Sequence, residues 1–115
     1  MNKSTEKKIN NIIKNFKENH SYKILRESME IIGNEDRFLI LNLLKDKPCL
    51  LSDIEQRMNR NQPSISHHIR ILEDHGFIHN SKVGKFKEYS ISKEKFGELL
   101  NIWNQWFNII RSRKY

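Results

Sequence analysis

Hydrophobic residues recur at helical spacing along most of this chain, and capping and turn residues mark the places where the spacing breaks. Ile9, Ile12, Ile13 and Phe16 fall at i, i+3, i+4 and i+7, which predicts an amphipathic helix from about Thr5 to Glu18. Tyr22, Leu25, Met29 and Ile32 repeat the pattern in a second helix, which Gly33 ends. Asn34 is a suitable N-cap for a third, with Glu35 and Asp36 well placed against the positive end of its dipole. That helix carries Phe38, Leu39, Ile40, Leu41, Leu43 and Leu44, apolar nearly all round, and is the expected core helix of the domain.

The next segment alternates between short helices and polar punctuation. Ser52-Asp53-Ile54-Glu55 has the S-x-x-E form of a capping box and opens a short helix whose Ile54 and Met58 share a face. Asn59-Arg60-Asn61 is a tight polar turn. Asn61 is a good N-cap, Pro63 is tolerated in a first turn, and Gly76 supplies a left-handed stop. Between these signals Ile65, Ile69 and Leu72 form a buried stripe, while Gln62, Ser64, His67 and Arg70 fall away from it. Two short helices with a tight turn predict a helix-turn-helix. After Gly76 the period moves towards two. Phe77 to Ser81 and Phe86 to Ile91 are candidate strands, with Lys87 and Glu88 alternating against Tyr89 and Ile91, and Lys82-Val83-Gly84-Lys85 is the turn between them. The expected fold class is mainly α with a β-hairpin wing, a winged helix-turn-helix.

A last helix is expected from near Ser92 to about Ser112. Phe96, Leu99, Leu100, Trp103, Phe107 and Ile110 make one stripe on it, and Ile102, Trp106 and Ile109 a second beside it. A chain of 115 residues is one small domain and cannot bury both stripes alone. Left bare they would form an apolar patch large enough to mark an interface. The simplest cover is the same helix of a second copy, through Phe96, Leu99, Leu100, Trp103, Trp106, Phe107 and Ile110. The competing arrangement folds the chain's own first helix over them. The expected organisation is thus an N-terminal packing helix (1–20), a winged core (21–92) and a C-terminal dimerisation helix (93–115).

Charge sharpens this picture. The formal net charge is +7. Between Arg57 and Lys87 six cations meet two anions, whereas between residues 34 and 56 three meet five. Basicity therefore gathers on the helix-turn-helix and wing, where a nucleic-acid backbone would lie. Arg60, Gln62, Ser64, Ser66, His67, His68, Arg70, Lys82, Lys85 and Lys87 are the candidate contacts to double-stranded DNA, since these side chains reach base edges or phosphates.

Other classes find little support. The longest apolar stretch, Phe38 to Leu44, is interrupted by Asn42 and far too short to span a bilayer, so no membrane partner is expected. The N-terminus is polar and has no signal-peptide core. One cysteine cannot form an internal disulfide, which points to a reducing cytoplasm. No enzyme is expected. There is no glycine-rich phosphate loop and no G-x-S-x-G, and Ser66 and His67 are adjacent on a helix and point different ways.

The runs Gly33 to Leu44, Pro48 to Ile54 and Asn61 to Ile69, with its Q-P-x-I-S-x-H piece, resemble the ArsR/SmtB family of winged-helix repressors over roughly residues 22 to 110. The resemblance implies a homodimer that binds operator DNA and releases it on binding a metal or another signal. One metal site of the family uses Cys-x-Cys; here the matching residues are Cys49 and Leu51. Another uses Asp and His of the last helix, yet from Ser92 onward the acids are Glu94 and Glu98 and no histidine occurs. The histidines His20, His67, His68, His75 and His79 have no ligand spacing of their own. No metal and no cofactor are expected, and Cys49 is left as a candidate for redox chemistry or as a small buried hydrophobe. The reading is a sequence-specific dimeric regulator, a repressor, without recognisable metal ligands. The alternative is a winged helix for protein interaction or DNA architecture, without regulated release.

Overall fold

A computed structural model describes residues 2–114. The elements run α1 (Lys3–Glu18), α2 (His20–Ile32), α3 (Glu35–Leu44), β1 (Cys49–Leu50), α4 (Leu51–Met58), α5 (Gln62–Asp74), β2 (Ile78–Val83), β3 (Phe86–Ile91) and α6 (Lys93–Ser112). Among the described residues no helix is long and apolar enough to cross a membrane.

Asparagine and serine open most of the helices. Asn2, Asn19, Asn34 and Asn61 each accept a hydrogen bond from the backbone N–H three residues on, at 2.8–3.0 Å. Ser92 Oγ does the same for Lys95 at 3.3 Å. Each cap satisfies a donor that the helix leaves orphaned. The expected capping box at Ser52 does not form. Leu50 occupies the N-cap position with no side-chain hydrogen bond, and Ser52 lies inside the first turn. The reason is β1. Cys49 and Leu50 are drawn out to pair with Tyr89 and Glu88 of β3, so the helix starts as soon as the pairing ends.

β1, β3 and β2 form one antiparallel sheet in that order. The wing strand β2 runs to Val83, beyond its expected end at Ser81, and the turn shrinks to Gly84-Lys85. Gly84 has φ +64° while Lys85 does not share the positive sign. That combination suits a two-residue hairpin whose first central position must be glycine.

The core lies where α3, α4 and α5 meet the base of the sheet. Ile40, Ile54, Ile65, Leu72, Phe77 and Ile78 are its most enclosed side chains. Each such side chain taken out of water contributes roughly 1.5–3 kcal/mol. The expectation for α3 holds on one side. Ile40, Leu41 and Leu44 are buried, but Phe38 is 55% and Leu39 41% exposed.

α5 ends in two nested hydrogen bonds. Phe77 N–H donates to Leu72 O at 2.9 Å and Gly76 N–H to Glu73 O at 3.0 Å, with Gly76 at φ +79°. This is the Schellman arrangement, closed by contact between two fully buried residues, Leu72 and Phe77.

α1 buries none of its residues. It joins the body through Asn19, which ends α1 and caps α2, and through Phe16, whose ring lies 6.4 Å from that of Tyr22. Its stripe of Ile9, Ile12, Ile13 and Phe16 stays exposed, so α1 does not cover the apolar faces of α6.

Candidate nucleic-acid interface

α5 is gripped on one side and free on the other. Ile65, Ile69 and Leu72 are buried against α3, α4 and the sheet, and Gln62, His67 and Arg70 are exposed. Ser64 and Ser66 lie half-buried on the flanks. The turn before α5 contains Asn59 at φ 51°, ψ 43°, a left-handed conformation that asparagine tolerates better than most residues. This turn sets α5 at its angle to α4.

Two expected contacts prove to be engaged within the chain. Arg60 Nε lies 3.3 Å from Asp36 Oδ1. His68 is half-buried, with Nε2 3.6 Å from Asp36 Oδ2 and Nδ1 3.2 Å from an Arg37 guanidinium nitrogen. Arginine can only donate, so His68 Nδ1 must be the acceptor and the ring proton sits on Nε2, facing Asp36. Burial, the Arg37 charge and the neighbouring His67 push the His68 pKa below its usual 6.5, against the opposing pull of Asp36. Arg37 Nε also donates to Ile31 O at 2.8 Å. Asp36 and Arg37 thus tie the end of α2 and the start of α3 to the turn and body of α5. His68, a candidate DNA contact in the sequence, belongs to this anchor and is turned towards α3. Sequence reading assigned Asp36 to the helix dipole and gave Arg37 no role, because their partners lie 24 and 31 residues away.

The wing adds a second cationic element. Its register pairs Ile78 with Ile91, Asn80 with Tyr89 and Lys82 with Lys87. Strand alternation therefore puts Lys82 and Lys87 on the face that carries Tyr89 and Ile91. The expected alternation of Lys87 against Tyr89 does not hold. Asn80, on that same face, donates its side-chain amide to the Glu73 carboxylate of α5. Lys82 and Lys87 accordingly project on the side of the hairpin turned towards the recognition helix. Lys85 stands in the turn, its ammonium 5.6 Å from the Phe86 ring. Tyr89, buried beneath, has its phenol pKa raised by that burial and by Glu73, and stays neutral.

The remaining candidates lie elsewhere. Among the described residues no three His, Cys, Asp or Glu side chains gather as a metal site would need. His75 Nδ1 is 2.9 Å from Ile71 O, a contact internal to the end of α5. Cys49 is half-buried in β1, its thiol 3.6 Å from the carbonyl oxygens of Leu43 and Lys47. On α6, Leu99 and Ile102 are buried by the chain itself, and Phe96 packs edge-on to Phe77 with ring centroids 5.7 Å apart. Phe96 and Leu99 thus complete the chain's own core, a correction to the expected interface set. Leu100, Trp103, Phe107, Ile109 and Ile110 stay exposed and Trp106 half-exposed. Trp103, Trp106 and Phe107 make an aromatic cluster with centroids 4.5–6.0 Å apart.

Residues 34–80, which span α3, the helix-turn-helix and the start of the wing, match the family described as bacterial regulatory protein, arsR family. The chain is 34% identical over 70 residues to the transcriptional repressor SdpR of Bacillus subtilis, covering 61% of this chain and 78% of that protein. It is 28% identical over 92 residues to the arsenical resistance operon repressor of Staphylococcus xylosus, covering 80% and 85%. A crystallised ArsR family transcriptional regulator superimposes with TM-score 0.70 at 25% identity, over 80% of this chain and 95% of the other. HlyU from Vibrio cholerae shares the fold, with TM-score 0.64 and 19% identity over 76% and 96%. With a winged helix-turn-helix whose recognition helix is free on its polar side, and with these relatives, the chain belongs to the ArsR family of DNA-binding transcriptional regulators.

Proposed function

We propose that this protein is a homodimeric repressor that places one α5 in each of two successive major grooves and so blocks access of polymerase to a promoter. One observation carries the reading. Gln62, His67 and Arg70 of α5 are exposed, and Lys82 and Lys87 share the wing face whose Asn80 is bonded to Glu73 of α5. Gln62 and Arg70 suit base edges, and Lys82, Lys85 and Lys87 suit the flanking backbone. Arg60 reaches a phosphate if it leaves Asp36, to which it is held by a half-exposed pair of low cost.

The dimer rests on α6. The bare aromatic cluster adjoins an apolar hollow of about 540 Å³ between α2 and α6, lined by Leu25, Met29, Ile32, Leu100 and Trp103. A second copy of the same face would cover both, with α1 available as a further flap. Two recognition helices would then stand about 34–36 Å apart, one turn of duplex. Release by a thiophilic metal is not part of the proposal, because Cys49 has Leu51 where a second thiolate would stand.

Sedimentation equilibrium with Trp103→Asp and Phe107→Asp tests the assembly. Both side chains are exposed, so the subunit should stay folded, become monomeric and lose most of its affinity for duplex DNA. A wild-type monomer that protects a single half-site would sink the proposal.

A further inference from the structure

We propose that the hollow beside α3 is a binding site for a small organic anion, one carboxylate carried on an apolar body. The hollow has a volume of about 610 Å³. That is within the size range of small-molecule sites, roughly 300–1,000 Å³. Ile32, Leu41, Leu44, Ile91 and Phe96 form its floor, and the half-exposed ring of Phe38 is one wall. Lys45, Lys47 and Lys93 stand around its rim with a single acid, Asp46.

The rim is not neutralised from within. Among the described residues the ion pairs involve Arg60, His68 and Lys95, and none of the three rim lysines or Asp46. The Lys45 ammonium is braced at the edge, 3.1 Å from Asn42 Oδ1, while Asn42 Nδ2 donates to Phe38 O at 2.8 Å. α6 begins at Lys93, adding the positive end of its dipole. A neutral apolar ligand would leave the cations unused. An inorganic anion would leave the floor bare. An organic cation would meet a net positive rim. An apolar monocarboxylate satisfies both parts.

Position gives the site a use. It is walled by the end of α2, by α3, by the 45–48 segment that leads through β1 into α4, by β3 of the wing and by the start of α6. An occupant touches α3, which packs against α5, and α2, which packs against α6. Occupancy therefore shifts DNA affinity to the extent that the two arrangements bind the anion differently. This regulatory step rests on the DNA-binding reading above; occupation of the hollow does not.

The test is calorimetric titration of the full chain with octanoate, 1-octanol and octyltrimethylammonium at matched ionic strength. Octanoate should saturate one site per chain, and the alcohol and the cation should bind at least about tenfold more weakly. Lys45→Gln, Lys47→Gln and Lys93→Gln together should reduce octanoate affinity by about tenfold and leave octanol unchanged. Phe38→Glu should abolish octanoate binding with an unaltered urea midpoint, since the ring is already half in water. Equal binding of the three probes would overturn the site. So would indifference to the lysine changes, or amide shifts centred on Leu100 and Trp103. Anisotropy with labelled duplex, with and without saturating octanoate, reads the second step. A changed DNA affinity supports regulation, and unchanged affinity with octanoate bound overturns it. A chain that takes octanoate but no DNA refutes the proposed function and leaves the site standing.

Discussion

Replacing Lys82 by Gln should make the protein more stable and at the same time a weaker binder of DNA. Lys82 and Lys87 are directly opposed across the wing, so two ammonium stems leave neighbouring positions on one face of a two-stranded ribbon. Like charges so placed oppose each other. For an exposed pair the effect is roughly 0.2–0.5 kcal/mol, at the low end of cross-strand energies because water screens it. One substitution removes the whole repulsion. Lys82→Gln, Lys87→Gln and the double variant should therefore gain the same small stability in urea, and about 1 M salt should erase the gain. DNA binding should behave additively instead. Each phosphate left without its lysine flattens the dependence of log K on log salt by about 0.9, so the slope should fall by about 0.9 in each single variant and by about 1.8 in the double. Lys85 stands in the turn and has no cation opposite, so Lys85→Gln should flatten the slope with no gain in stability. Urea titration and anisotropy on mixed-sequence duplex at several salt concentrations measure both quantities. A stability gain that doubles in the double variant would show that the facing pair is not its source. Salt slopes that do not move would show that the wing does not reach the backbone.

Arg70→Ala and Gln62→Ala should weaken operator binding by roughly 1–3 kcal/mol each, and Gln62→Ala should also broaden base preference in a selection from random duplexes. Asn61→Ala removes the 2.9 Å cap of α5 and should cost about 1 kcal/mol in urea, with Asn61→Asp close to wild type. His68 has a lowered pKa in the folded protein, so above pH 6.5 both states hold it neutral and nothing is lost. As pH falls below 6.5 the unfolded chain takes up the proton first and stability drops until the folded pKa is passed. The difference in urea midpoint between wild type and His68→Gln should therefore change between pH 8 and pH 5, and a constant difference would exclude His68 as the cause. Zinc, cadmium, cobalt or arsenite at about one equivalent should leave DNA affinity unchanged, as should Cys49→Ser in reducing buffer, by shift assay beside calorimetry. Tight metal uptake that disappears in Cys49→Ser would contradict this.

Local signals made most of the frame legible. Asn34 and Asn61 cap the helices they were expected to cap, and the last helix starts where expected, behind Ser92, because the partner of each cap lies three residues on and the chemistry is contained in one short window. Gly76 closes α5 for the same reason. What sequence did not reveal depends on partners far along the chain. β1 is two residues long, too short to show a period, and exists because Tyr89 and Glu88 pair with it. That pairing displaced the expected cap at Ser52. Arg60 and His68 read as candidate DNA contacts, and their partners Asp36 and Arg37 could not be seen from so far along the chain. Phe96 and Leu99 read as interface because a stripe shows which residues share a face and not what that face meets; here part of it meets α2 and Phe77. The exposed side of α5 was legible, since its buried stripe left the remainder to solvent.

Phe77 has a consequence for how such a regulator could change in evolution. Its N–H is bonded to the end of α5, its carbonyl accepts from Ser92 at the start of α6 at 2.9 Å, and its ring is held between Phe96 and the Lys95 ammonium. α5 and α6 are therefore clamped to the same residue at the base of the wing. In a dimer built on α6, a substitution that tilts α6 should carry α5 with it as one piece. Base preference within a half-site and the distance between half-sites then become separately inherited traits. The first is written in the outer residues of α5, and the second in apolar residues of α6 that never touch DNA.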